Sequence, residues 1–329
     1  MANIKFEEID KALSSHGGLA LVERLFQRSN LSRLVEGTLP ALKSGTARSA
    51  QKLKNLIMGF GAGLDCLEDI NELGKDPGFV EVCDKTSYTP KTYGDFLRSF
   101  ENLQAKQLNQ CLSKQSYDLR SATLGKQPSI TIDLDSTPNL QYGKKIEGAA
   151  YNYKKQWCLD TLHAFDEYGY QYWSEVRPGN TYSSEGAVEA IHHIFDNMPR
   201  TREYKKTRRY ARCDSAFCRT DVFNAFAAKN VGFVACMKRA MAEPLLQNIH
   251  AWTPAKNKKK KIKFYDDREC ELGETIYRPK KAAEILRVVV MRAVKKDREG
   301  SLIKTQDDYD YYSFILDRKF YLPKLAASH

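Results

Sequence analysis

A mixed α/β fold with a helical opening is predicted by three features of the 329-residue sequence. Up to about residue 120 the apolar positions recur at helical spacing, whereas from residue 129 onward alternating or continuous apolar runs bounded by Gly and Pro indicate strands. Two of these strands, about eighty residues apart, each end on an Asp followed by Ser. They are Ile-Thr-Ile-Asp-Leu-Asp-Ser-Thr at 130–137 and Tyr-Ala-Arg-Cys-Asp-Ser-Ala-Phe at 210–217.

The opening segment, 1–125, reads as short helices. Leu19, Leu21, Val22, Leu25 and Phe26 form one apolar stripe, Leu31, Leu34 and Val35 a second, and Leu53, Leu56, Ile57 and Phe60 a third. Thr89-Pro90-Lys91 breaks the chain before an amphipathic helix with Tyr93, Phe96, Leu97, Phe100 and Leu103. Basic residues Arg33, Lys43, Arg48, Lys52 and Lys54 suit a helical domain that grips DNA, although no recognition helix stands out.

After Gly125-Lys126-Gln127-Pro128 the pattern changes. A strand at 129–136 places Ile130, Ile132 and Leu134 on one face and Thr131, Asp133 and Asp135 on the other. If that second face is buried, two anions there require a cation or a partner, because each loses its hydration; if it is solvated they require neither. A strand at about 156–166, a turn at Glu167-Tyr168-Gly169-Tyr170 and a third strand at 171–177 complete a meander, closed by Pro178-Gly179-Asn180. Ser183 or Ser184 is expected to cap a helix carrying Val188, Ile191, Ile194, Phe195 and Met198. A basic connection then leads to a fourth strand ending at Asp214, a helix from about Thr220 to Lys229 and a fifth strand from Val231 to Met237. Three strands, helix, strand, helix, strand is the order of the RNase H-like fold, in which the ends of the first and fourth strands are neighbours. That order brings Asp135 and Asp214 into one site.

Residues 241–329 are irregular and charged, with strand-like runs at 285–294 and 309–316, and are expected to form a β-rich insertion and the C-terminal part. The division is thus 1–125, 126–240 and 241–329. A lysine cluster, Lys258, Lys259, Lys260 and Lys261 among it, fits either a phosphate backbone or a solvated hairpin tip.

With 52 Lys+Arg against 41 Asp+Glu the net charge is +11, which favours a polyanionic partner over an acidic small molecule. The eight cysteines show neither a CxxC pair nor His at ligand spacing, so disulfide frameworks and zinc sites are not expected. The N-terminus has no signal-peptide pattern and no apolar run is long enough to cross a bilayer, so a cytoplasmic protein without a membrane partner is expected.

The segments DLDST, YGKKIEGAAYNYKK, VRPGNTYSSEGA and RCDSAF, in this order, resemble the Asp-Asp-Glu transposases of bacterial insertion sequences, specifically the insertion-sequence-1380 branch. SHGGLALVERLF and EDINELGKDPGF resemble the same family's helical opening. The resemblance implies DNA cleavage and strand transfer with Mg²⁺ or Mn²⁺, double-stranded transposon ends and target DNA as partners, and a homodimer on DNA. It assigns the first catalytic, metal-holding acid to Asp135, with Asp133 as a supporting metal ligand beside it, and the second to Asp214, and it implies a bacterial, nucleoid-associated protein. The third acid belongs to a stretch resembling Tyr-x-x-Arg followed by Glu, whereas this sequence closes after Leu316 without either residue. The expectation is therefore a chain cut short and impaired in catalysis, with neither Glu284 nor Glu185 a convincing replacement. DNA contacts are expected from Arg177 and Asn180 of the RPGN turn, from Lys205, Lys206 and Arg208, and from Lys258–Lys261. A non-catalytic DNA-binding remnant and an RNase H-like nuclease are the alternatives.

Overall fold

The computed structural model describes residues 14–28, 33, 46–257, 260–298 and 303–317, with backbone alone at 46–48, 257 and 260. The chain divides into two compact units, Met1–Leu119 and Arg120–His329.

The first unit is helical. Helix α1 (Leu19–Arg28) buries Leu19 and Phe26, while Leu21 and Leu25 of the same sequence stripe remain exposed. Helix α2 (Thr46–Gly61) adds Leu56 and Met58 to that core. Helix α3 (Pro90–Arg98) starts where its chemistry dictates: the Thr89 hydroxyl accepts the Thr92 N–H, and Pro90 fills the first turn, where no amide donor is needed. Its Tyr93 and Phe96 are buried. The long helix α4 (Asn102–Leu124) ends the helical run. Two cations suggested by the sequence as DNA grips are instead part of the packing. Lys54 is buried and bonded to Asp84 at 2.6 Å and Glu23 at 3.3 Å, and the buried Lys52 ammonium lies over the rings of Tyr88 and Phe96. Leu31, Leu34, Val35 and Lys43 lie outside the described residues, as does the Arg48 side chain.

The second unit is built on a ten-stranded mixed sheet. Strands β1 (Ser129–Leu140), β2 (Trp157–Asp166) and β3 (Gln171–Pro178) form the antiparallel meander. Strand β4 (Arg208–Cys213) pairs parallel to β1, and β5 (Gly232–Cys236) parallel to β4, so the spatial order is β3-β2-β1-β4-β5. This is the RNase H-like arrangement expected from the element order. Helices α5 (Ala187–Asp196) and α6 (Thr220–Ala228) are the connections, and Phe223 and Phe226 of α6 stack on Phe233 of β5. Phe233 pairs with Ala211, which pairs with Ile132, and paired residues share a face, so α6 covers the aliphatic side of the sheet.

One departure from the sequence reading stands out. Helix α5 is not capped by Ser183 or Ser184; it begins behind Gly186, whose φ of +78° is left-handed and easy for glycine. The β-rich segment after β5 extends the central sheet. Strands β6 (Trp252–Pro254), β7 (Glu271–Tyr277), β8 (Leu286–Val294) and β9 (Tyr309–Leu316) continue the central sheet, through antiparallel pairing of β9 with β5. Among the described residues, Lys256–Asn257 with Lys260–Lys261 makes a separate two-stranded ribbon. Cys83, Cys111, Cys158, Cys218 and Cys270 are buried free thiols, and burial pushes Cys83 up to about 12, so it stays protonated and inert.

Candidate active site

The parallel register of β1 and β4 pairs Asp133 with Arg212 and Leu134 with Cys213. The next residues, Asp135 and Asp214, therefore stand at one level on adjacent strands and on one face, opposite the aliphatic side. The order of elements in the sequence predicts this, because it makes the ends of the first and fourth strands neighbours. Both terminal carboxylates are exposed, and neither pairs with a basic side chain among the described residues. Asp214 accepts the Ala216 N–H at 2.8 Å, which fixes the turn after β4, and Asp135 is approached by the Thr137 hydroxyl at 3.5 Å.

Asp133, one step inward, is engaged. Arg212 donates Nε and Nη2 to its two carboxylate oxygens at 2.6 and 2.7 Å, and that hydrogen bond raises the guanidinium further above its ordinary value. The two half-buried charges thus neutralise each other, and the partner that the strand face demanded is an arginine. Arg212 went unnoticed in the sequence, although its place two residues before Asp214 was the available signal.

The row across the sheet continues on both sides of the two acids. His163 of β2 pairs with Asp135 and Ser174 of β3 pairs with His163. The imidazole Nδ1 lies 3.0 Å from the Gln171 amide nitrogen, a donor, so Nδ1 accepts and Nε2 carries the proton. Burial lowers the His163 pKa from its ordinary 6.5, against the pull of the Asp135 and Asp160 charges. On the other side, Cys236 at the end of β5 contacts the Tyr312 hydroxyl at 3.1 Å. That contact and burial push Tyr312 up to about 12, leaving a protonated hydroxyl close enough to Asp214 to feel its charge.

Arg177 has a different place from the one its motif suggested. It is buried and its guanidinium is spent inside the chain: Nε donates to Asp160 at 2.9 Å, Nη2 to the same carboxylate and to the Ser183 carbonyl at 3.2 Å, and Nη1 to the Glu185 carbonyl. Ser136 completes the knot by donating to Asp160 at 2.8 Å. This knot ties the residue after Asp135 to the RPGN turn, and Asn180 of that turn is left exposed.

Lys205, Lys206 and Arg208 are also exposed. Arg208 opens β4, six residues before Asp214 or about 20 Å along the strand, and Lys205 and Lys206 stand in the turn just before it. Lys258, Lys259 and the Lys260 side chain lie outside the described residues, and Lys261 pairs with Glu269. Glu284 lines a small pocket with Asn224 and Asp317 at the opposite end of the sheet from Asp214. Among the described residues no three Asp, Glu, His or Cys side chains gather into a metal-binding cluster.

Residues 2–302 match a family model described as the transposase DDE domain, group 1. No curated protein matches. Similar solved structures include the Mos1 transposase paired-end complex with the left transposon end, at 10% identity and a TM-score of 0.22, covering 55% of this chain and 57% of that one. A pre-cleavage Mos1 transpososome matches at 13% identity and a TM-score of 0.23, covering 68% and 78% of the respective chains. The Mos1 mariner paired-end complex with Mn matches at 15% identity and a TM-score of 0.22, covering 67% and 78%.

Proposed function

The chain belongs to the transposases with a group 1 DDE domain, and from that premise we propose that Asp135 and Asp214 hold a divalent cation for cleavage and strand transfer of DNA. The observation that carries this reading is the pair of exposed carboxylates side by side on β1 and β4 without a basic partner among the described residues. Two such anions repel each other, and a hard cation relieves that repulsion while taking its other ligands from water and phosphate. Their donor chemistry fits Mg²⁺ or Mn²⁺, which when bound would neutralise phosphate charge and polarise the phosphorus–oxygen bond under attack. The chain's own residues supply placement. Asp214 is held by the Ala216 amide, Asp135 is flanked by His163 and by the knot of Ser136, Asp160 and Arg177, and Asp133 with Arg212 locks the register of the two strands.

The partner in this reading is double-stranded DNA, bound as insertion-sequence ends by two copies of the chain. A duplex that touches both the acid pair and Lys205, Lys206 and Arg208 must run for about 20 Å, roughly six base pairs. Asn180 stands on the same end of the sheet as Asp135, with Arg177 acting on it through the turn. The test of the site is calorimetry with Mn²⁺: Asp135→Ala and Asp214→Ala should each abolish binding, and unchanged binding in both would dismiss them as co-ligands.

A second reading, DNA binding without efficient chemistry, is favoured by one observation: only two free carboxylates assemble among the described residues. A two-ion phosphoryl-transfer site needs more anionic ligands than that, and loss of one electrostatic contributor costs on the order of a thousandfold in rate. Metal-dependent nicking of a labelled end at a rate that Asp135→Asn does not lower would overturn both readings of the acid pair.

A further inference from the structure

The segment between β1 and β2, residues 141–156, projects from the end of the sheet that carries Asp135, and we infer that it is a platform for unpaired DNA bases. The inference rests on the DNA reading above and deepens it. Strand β1 continues for five residues beyond Asp135 before the segment begins, which places the platform about 17 Å outward from the acid.

Its backbone is tied down from several sides. Gln141 N–H donates to the Trp157 carbonyl at 2.9 Å, and the Trp157 indole donates to the Gly143 carbonyl at 3.0 Å. The returning limb pairs Ala150 with Cys158 and Tyr151 with Trp157. Gly179 of the RPGN turn donates to the Gly148 carbonyl at 3.0 Å and is pressed so close that a Cβ there would lie 1.9 Å from the Cys158 carbonyl oxygen and 2.6 Å from that of Ala150. The two motifs YGKKIEGAAYNYKK and VRPGNT are thus one structural unit, and glycine at 179 is demanded by this close approach.

On this ordered scaffold stand three tyrosines open to solvent: Tyr142 at 94%, Tyr153 at 84% and Tyr151 at 65% exposure. Contacts with other rings do not account for them, since among the described residues Tyr151 alone meets one, edge-on to Trp157 at 5.2 Å, while the Lys154 ammonium lies over the Tyr153 ring at 5.5 Å. Lys144, Lys145, Lys154 and Lys155 are exposed beside them, without an ion pair among the described residues and against the single Glu147 in the segment. Rings interleaved with lysines that have no carboxylate partner match a nucleic-acid strand, the lysines meeting phosphates and the rings meeting base faces. Inside a duplex those faces are covered by their neighbours, so the rings can stack only on bases that have left the helix. A second copy of this chain fits poorly, because four lysines facing four lysines would repel.

The test uses the full chain and two labelled DNAs of one sequence, an intact duplex and the same duplex with a short central mismatch bubble, titrated without metal. The wild-type chain should bind the bubble on the order of tenfold more tightly than the duplex. Replacing Tyr142, Tyr151 and Tyr153 together by Ala should erase that preference while duplex affinity is kept, and replacing all three by Phe should retain it. Replacing the four lysines by Ala should lower the slope of log affinity against log salt on the bubble by about three. Bubble preference that survives the triple Ala variant overturns the inference, as does equal binding of bubble and duplex by the wild type; in both cases the DNA reading stands. Absence of binding to either DNA overturns the inference together with that reading.

Discussion

Asp133 and Asp135 share a strand face but not a role, because what each carboxylate meets across the sheet differs. Asp133 meets Arg212 in a bidentate pair, while Asp135 meets His163 on one side and Asp214 on the other. Asp133→Asn should therefore leave Mn²⁺ binding intact in calorimetry and lower stability by only about 1 kcal/mol, since the pair is about one-third exposed and its attraction is screened. Loss of Mn²⁺ binding in that variant would return Asp133 to the ligand set. His163 makes a pH prediction. Burial lowers its folded pKa below the ordinary 6.5, so the unfolded chain binds more protons in that window, and its contribution to stability, present above pH 6.5, is lost as pH falls through the folded pKa. In urea titrations without divalent metal, wild type should lose stability from pH 7 to 5 more steeply than His163→Gln; equal slopes would show that His163 is not desolvated.

The RPGN turn and the projecting segment stand or fall as elements. Arg177→Ala leaves the Asp160 carboxylate buried without its cation, which should cost about 3–5 kcal/mol, seen as a drop in the denaturation midpoint. Arg177→Lys should recover only part of this, because an ammonium cannot reproduce the fork that spans Asp160 and the Ser183 and Glu185 carbonyls. A fully stable Lys variant would show that charge alone suffices. Gly179→Ala has no room: its methyl must displace backbone carbonyls rather than a flexible side chain, so a loss of roughly 3 kcal/mol is expected. Near-wild-type stability would mean that the segment is held more loosely than its hydrogen bonds indicate.

For the molecule as a whole, the charge excess and the exposed acid pair make opposing demands on one DNA under the proposed function. Lysines and arginines attract phosphate, and Asp135 with Asp214 repels it until a cation is bound. Binding of an insertion-sequence end should thus weaken steeply with salt, by tenfold or more between about 50 and 200 mM, and should strengthen on adding Mn²⁺ in wild type but not in Asp135→Ala. A flat salt response measured by fluorescence anisotropy would remove the phosphate-binding role. The sheet matters at this scale too, since strands β6 to β9 extend it beyond β5 and leave one continuous scaffold across the second unit.

Much of this was legible in the chain alone. Alternating residues in 129–135 and 210–214, the meander turns and the two amphipathic helices specify the order of elements, and that order brings Asp135 beside Asp214. Periodicity reports which face of an element is apolar, because burial repeats with the backbone's own period. It does not report what lies across the sheet, which depends on register between segments far apart in sequence. Register decided that Arg212 takes Asp133, that His163 stands next to Asp135, that Arg177 is enclosed with Asp160, and that the strands after β5 join the central sheet. The sequence by itself determined that Asp135 and Asp214 come to the same end of the sheet; the tertiary structure decided which charges there are neutralised and which stand exposed without a basic partner among the described residues, because that depends on pairing distance rather than on residue type.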